Sequence, residues 1–245
     1  MTGFAVTGIT GGYATTDDIV RGVDLHAPFG TLTCVIGPNG AGKSTALKLA
    51  AGLLRLRAGQ VMLGSHDLTG LTPQAALAAG LVFVPQERNV FPRLSVVENL
   101  RMGAFKARDA AERLDGVYAR FPELQARRRT PAGALSGGQR QVLAMATALM
   151  ARPRALLLDE PTAGLSPQAA ARLLDVVVGL ARSGLAVLMV EQNALDALAV
   201  SDRAVVMVDG HVVREGPAAS VSRDPEIRRL FLGGRSLNPS KGHTA

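Results

Sequence analysis

Nine consecutive residues, Gly37, Pro38, Asn39, Gly40, Ala41, Gly42, Lys43, Ser44 and Thr45, carry the spacing G-x-x-x-x-G-K-[ST]. Glycine lets backbone N–H groups curl round an anion, and a helix starting there adds the positive end of its dipole. Lys43 supplies a full charge and Ser44 a hydroxyl suited to magnesium. The expected chemistry is a cradle for the β- and γ-phosphates of a nucleoside triphosphate. A helix terminus is worth only about 0.3–2 kcal/mol, so Lys43 and a divalent cation must neutralise most of that charge.

Three further segments invite chemistry. LLLDEP (Leu156 to Pro161) is an apolar run whose far end holds Asp159 and Glu160. Ligands gather at such strand ends in open α/β sheets, which suits Asp159 to the magnesium shell and Glu160 to polarising an attacking water. The plainer alternative is two carboxylates capping the next loop. LSGGQ (Leu135 to Gln139) starts a helix with Ser136 as N-cap, and Gly137 and Gly138 permit close approach of backbone to an anion; it also reads as merely a capped helix. Gln86, in FVPQERNVF, follows another apolar strand.

In the order GPNGAGKST, LSGGQ, LLLDEP, the chain resembles the ABC ATPase family over nearly its whole length. The resemblance implies an α/β fold: a P-loop NTPase (RecA-like) core with an N-terminal antiparallel β-subdomain and an inserted helical subdomain. Its cofactors would be ATP and magnesium. Ser136, Gly137, Gly138 and Gln139 would serve the nucleotide of a second ATPase subunit, so ATP would be sandwiched in a homo- or heterodimer. Gln86 matches the glutamine that touches magnesium or the attacking water. Tyr13 matches the aromatic that stacks on adenine, with core packing as the alternative.

Two positions depart from the family pattern. Gln192 stands where many relatives place a histidine against the γ-phosphate; it keeps a hydrogen-bond donor but no protonatable ring. AGLSP carries Ser166 where an aspartate is usual, and Ser166-Pro167 is equally a well-formed helix start. Together they suggest a heterodimer whose partner holds the more usual residues.

Among ABC ATPases the chain looks most like the smaller ATPase of branched-chain amino acid importers, through VEQNA (Val190 to Ala194), FPRLSVVENL (Phe91 to Leu100) and FLGG (Phe231 to Gly234). Urea and short-amide importers share these features. The implied partners are permease subunits, docked at residues 86–101, and indirectly a periplasmic solute-binding protein. DNA-repair and translation relatives usually carry a long coiled-coil insert or tandem ATP domains, which are not seen here. A small-molecule kinase has no need of LSGGQ. A lipid or drug exporter stays open.

The elements that must position these residues follow from patterning. Gly8, Gly11, Gly12 and Gly22 punctuate β-type stretches from Phe4 to Ala27, and the apolar run TLTCVI precedes a helix expected over Lys43 to Leu54. Residues 87–151 read as the helical subdomain, and 1–86 with 152–236 as the core. Apolar runs at Ala155, Ala186 and Ala204 suggest buried parallel strands, Asp209-Gly210 a hairpin turn, and 237–245 a polar tail. At 245 residues, 47% hydrophobic, the chain is expected to be one folded unit. Its net charge of +7 is scattered without aromatic interleaving, so no nucleic-acid partner is expected, and Arg127 to Arg129 reads as a loop rim or partner-facing cluster. No run reaches the roughly 18 apolar residues of a membrane span, and the start lacks a leader-like pattern, so the expected location is the cytoplasmic face of the inner membrane, held through the permease. Cys34, a lone cysteine in an apolar run, is expected to be buried and inert.

Overall fold

The computed structural model describes residues 3–14, 16–105 and 107–232. The chain opens with β1 (Gly3–Gly11), β2 (Val20–Pro28) and β3 (Leu32–Ile36), then α1 (Lys43–Ala50), β4 (Ala58–Leu63), β5 (His66–Asp67), α2 (Pro73–Ala78) and β6 (Leu81–Val84). A helical stretch follows: α3 (Val96–Gly103), α4 (Ala110–Arg120), α5 (Pro122–Ala126), one 3-10 turn and α6 (Gly137–Leu149). Strand and helix then alternate through β7 (Ala155–Asp159), α7 (Pro167–Arg182), β8 (Ala186–Val190), α8 (Ala194–Val200) and β9 (Arg203–Val208), ending in β10 (His211–Pro217), α9 (Ala218–Val221) and α10 (Pro225–Leu232).

Among the described residues the strands form two sheets. One is antiparallel in the order β2-β1-β4-β5; the other runs β10-β9-β3-β8-β7-β6 and is parallel apart from its edge strand β10. Period-2 alternation explains the unbroken apolar runs. Val35, Leu157, Leu188 and Val190 face one core with α1 and the antiparallel sheet, while Cys34, Ile36, Leu156, Leu158 and Met189 face another with α6, α7 and α8. Both faces are covered, so neither needs polar residues. Cys34 is free and buried, and burial pushes its thiol pKa up to about 11, as suits an inert packing residue.

The expected helix from Lys43 to Leu54 is shorter. It stops at Ala50 because Gly52 turns the chain at φ +70°, where an added Cβ would lie 2.4 Å from the Leu71 carbonyl oxygen. Leu53 N–H donates back to Lys48 O at 2.9 Å and closes the last turn. Asp209 and Gly210, at φ +47° and +80°, form the β9–β10 turn as the sequence suggested. The polar tail 237–245 and the last two residues of FLGG lie outside the described residues.

The helical stretch has its own core, in which Val96, Leu100, Phe121, Leu124 and Leu143 are buried together. Helix α6 belongs to two cores: Leu143 and Ala146 face this cluster, whereas Ala144, Met145 and Ala148 face the parallel sheet. Among the described residues no helix is long and apolar enough to cross a membrane.

Candidate functional site

Register brings the site together. Val35 of β3 lies opposite Val190 of β8, and Val190 opposite Asp159 of β7, so the strand ends that lead to GPNGAGKST, LLLDEP and VEQNA share one row at the carboxyl edge of the sheet. From that edge the chain curls back and enters α1 at Gly42. Gly42 has φ +91°, a left-handed conformation a side chain resists, and α1 carries no side-chain cap. The N–H groups of its first turn therefore face the cleft. The β9–β10 turn braces this loop from below, Gly210 N–H donating to Ala41 O at 3.1 Å and Gly210 O accepting from Arg21 N–H at 2.9 Å.

The resulting cleft holds about 290 Å³ and is lined by Tyr13, Ile19, Asn39, Gly40, Ala41, Gly42, Lys43, Ser44, Thr45 and Glu160. Lys43 is 5% exposed and folds over its own loop, donating to Gly37 O at 2.9 Å and Pro38 O at 3.1 Å. Burial holds its ammonium below the ordinary lysine pKa, and the carboxylates of Glu160, Asp159 and Glu191 pull it back up. Ser44 Oγ donates to Asp159 Oδ1 at 2.6 Å, and Gln86 Nε2 to Glu160 Oε2 at 3.1 Å. Among the described residues no three His, Cys, Asp or Glu side chains cluster as a metal cage. The donors at Ser44 and Asp159 are hard oxygens, which fit magnesium completed by phosphate and water.

Residues 20–163 match the family described as ABC transporter. The chain is 41% identical over 218 residues to a probable branched-chain amino acid transport ATP-binding protein, LivF, of Archaeoglobus fulgidus, spanning 88% of this chain and 92% of that protein. It is 34% identical over 220 residues to the lipopolysaccharide export system ATP-binding protein LptB of Escherichia coli, spanning 88% and 91%. The ADP conformation of MJ1267, an ATP-binding cassette of an ABC transporter, superposes with a TM-score of 0.86 at 27% identity, covering 96% of this chain and 100% of that one. The chain belongs to the ABC transporter ATP-binding family. It is therefore an ABC ATPase, an ATP-binding and ATP-hydrolysing subunit of a transporter, with the α/β cassette fold expected from its motifs.

Within this ABC ATPase the residues singled out from the sequence fall in four places. The loop residues 39–45, Tyr13 and Glu160 line the cleft, with Asp159 and Gln86 bonded to its rim. Tyr13 is 61% exposed and accepts from Lys48 Nζ at 3.1 Å, which excludes the core-packing alternative. Ser136, Gly137, Gly138 and Gln139 lie outside the cleft, at the start of α6. Ser136 and Gln139 exchange hydrogen bonds there in a capping box. Gln192 opens onto a neighbouring cleft with Thr162, Gly164, Leu165 and Asn193. Ser166 is the N-cap of α7, its Oγ accepting from Ala169 N–H at 3.4 Å.

Sequence reasoning missed several residues around this ABC cassette. Asn89 Nδ2 donates to Gln141 Oε1 at 2.8 Å and ties the segment after Gln86 to α6. Asn99, 1% exposed, shapes the Phe91–Ser95 loop: its Oδ1 accepts from Phe91 N–H at 2.7 Å, and its amide donates to the carbonyls of Phe91, Leu94 and Ser95. Glu191 is 2% exposed with both carboxylate oxygens engaged. Its one sequence signal was a charge placed directly after a strand apolar on both faces.

Proposed function

We propose that this chain powers an importer of branched-chain amino acids, as one half of an ATPase dimer beneath a permease at the cytoplasmic face of the inner membrane. A periplasmic solute-binding protein would choose the solute. The observation that carries the hydrolytic part is the paired junction at the cleft rim, Ser44 on Asp159 and Gln86 on Glu160. Lys43 exchanges its two loop carbonyls for phosphate oxygens when ATP enters, and Tyr13 stacks on adenine. Ser44, Asp159 and Gln86 would hold magnesium, which would supply Lewis-acid charge to the phosphates. Glu160 polarises the attacking water. Ser136, Gly137, Gly138 and Gln139 reach the nucleotide of the second subunit, whereas Gln192 donates to the γ-phosphate of the nucleotide in this chain's own cleft. Gln192 and Ser166 favour a heterodimer whose partner carries histidine and aspartate at these places.

Residues 87–151 work as the arm that links nucleotide to permease against a core of 1–86 and 152–236. An open apolar groove beside Gln86, lined by Leu77, Val84, Pro85, Asn89 and Met102, supports docking of a permease helix next to the 86–101 interface. The identity to a branched-chain amino acid relative favours this solute class. The identity to LptB favours a second reading, an exporter ATPase.

Isolation of the chain with its membrane partners decides between them. The importer reading expects copurified permease subunits with a second ATPase, and ATP-driven leucine uptake by the reconstituted complex that Lys43→Ala abolishes. A partner that extracts lipid, with no amino acid uptake, overturns it.

A further inference from the structure

Glu191 follows β8 at a point where three chain segments meet. Its backbone N–H donates to Val35 O of β3 at 3.1 Å, fixing it to the strand that feeds the phosphate loop. Its side chain runs the other way, Oε1 accepting from Thr162 N–H at 3.0 Å and Oε2 from Gln192 N–H at 3.3 Å. With 2% exposure no water replaces those bonds.

Thr162 lies two residues beyond Glu160, inside a turn closed by Ala163 N–H on Glu160 O at 3.1 Å. Glu160 itself stands at φ +45°, and its N–H donates to Val190 O at 3.0 Å. A non-glycine residue keeps such a conformation only where its surroundings over-determine it. The strand β8 holds the near side of this turn through Val190, and Glu191 holds the far side through Thr162.

We infer that Glu191 is a positioning residue for ATP hydrolysis, its buried carboxylate clamping the turn after Glu160 so that the Glu160 side chain stays aimed into the phosphate cleft. This rests on the reading of Glu160 as the group that polarises water. Glu191 is not among the residues that line the phosphate cleft. It also sets its charge near Lys43, and the Glu160 carboxylate disfavours ionisation of Glu191.

The test uses the full chain and separates binding from turnover by nucleotide titration and phosphate release. Glu191→Met fills the same space without an oxygen acceptor and is expected to lower kcat about 10- to 100-fold, with ATP affinity changed less than about 2-fold. Glu191→Gln returns the acceptor for Thr162 and is expected to restore kcat to within about 3-fold of the parent. Parent-like kcat in Glu191→Met overturns the inference, as does a fall in which kcat, affinity and melting temperature decline together in both variants. Should Glu191→Met not fold, Glu191→Asp decides: its shortened side chain withdraws the oxygens, so lost kcat supports the clamp and parent-like kcat refutes it. Glu160→Gln is the control. Its full activity would remove the reading of Glu160 and the inference with it, whereas a silent Glu160→Gln beside an active Glu191→Met removes the inference alone.

Discussion

Glu160 sits where a β-carbon crowds the neighbouring carbonyl, a conformation that costs about 1–2 kcal/mol and that this chain keeps at the end of β7. The opposing force is a set of hydrogen bonds to Val190, Ala163 and Gln86. Glu191 shows a second local conflict: burial raises its pKa while bonds from Thr162 and Gln192 pull it down, and burial wins. A glutamate whose folded pKa is raised binds its proton more tightly in the folded chain. Its contribution to stability is present below the ordinary glutamate range and fades as pH rises through the elevated folded value. Thermal melting should therefore fall for the parent relative to Glu191→Gln as pH is raised from about 4 to about 7. Parallel curves for the two proteins over that window would mean that the carboxylate carries no such penalty.

At the scale of elements, what was readable followed from pattern and what was not followed from contact. The apolar runs of β3, β7, β8 and β9 announced strands buried on both faces, and Ser136 and Ser166-Pro167 announced the starts of α6 and α7. The glycine at 52 marks the end of α1 in the sequence, and its φ of +70° ends the helix short of Leu54; only the closeness of Leu71 O to an added Cβ there is invisible to local pattern. β4, β5 and α2 carry no motif, and β5 spans only His66–Asp67. The bond from Gln86 to Glu160 joins residues separated by 74 positions and was legible only as two separate motifs. Gly52→Ala should destabilise the chain by about 1–3 kcal/mol, since it adds both backbone strain and a clash with a carbonyl that cannot move freely. Denaturant titration reads this directly, and an unchanged midpoint would show that the turn relaxes without loss. Asn99 tells the same story from the other side: within FPRLSVVENL nothing marks it out, and it is the buried clasp of the Phe91–Ser95 loop.

For the whole molecule the separation of the signature segment from the phosphate cleft is the governing fact. Ser136 and Gln139 satisfy one another at the head of α6 and do not line the cleft of their own chain. On the proposed reading a single copy offers two incomplete surfaces, which the dimer would complete. Glu160→Gln, saturated with ATP and magnesium, should shift by light scattering from one chain's mass to twice that mass, or pair with its partner ATPase. A monomer under those conditions, with the partner present, would count against the sandwich. Arg127 to Arg129 are exposed, and their backbone pairs with the start of α3, where Val97 N–H donates to Arg128 O at 3.0 Å.

Helix α6 has one flank in the sheet's core and the other in the helical core. Anyone building a chimaera that borrows the helical insert of another transporter must splice at one end of it, and neither seam is clean. Splicing after the helix sets foreign residues in the places of Ala144, Met145 and Ala148 against this chain's sheet; splicing before it leaves Leu143 and Ala146 without their counterparts. A workable graft carries matching mutations on both flanks, or replaces both bodies at once.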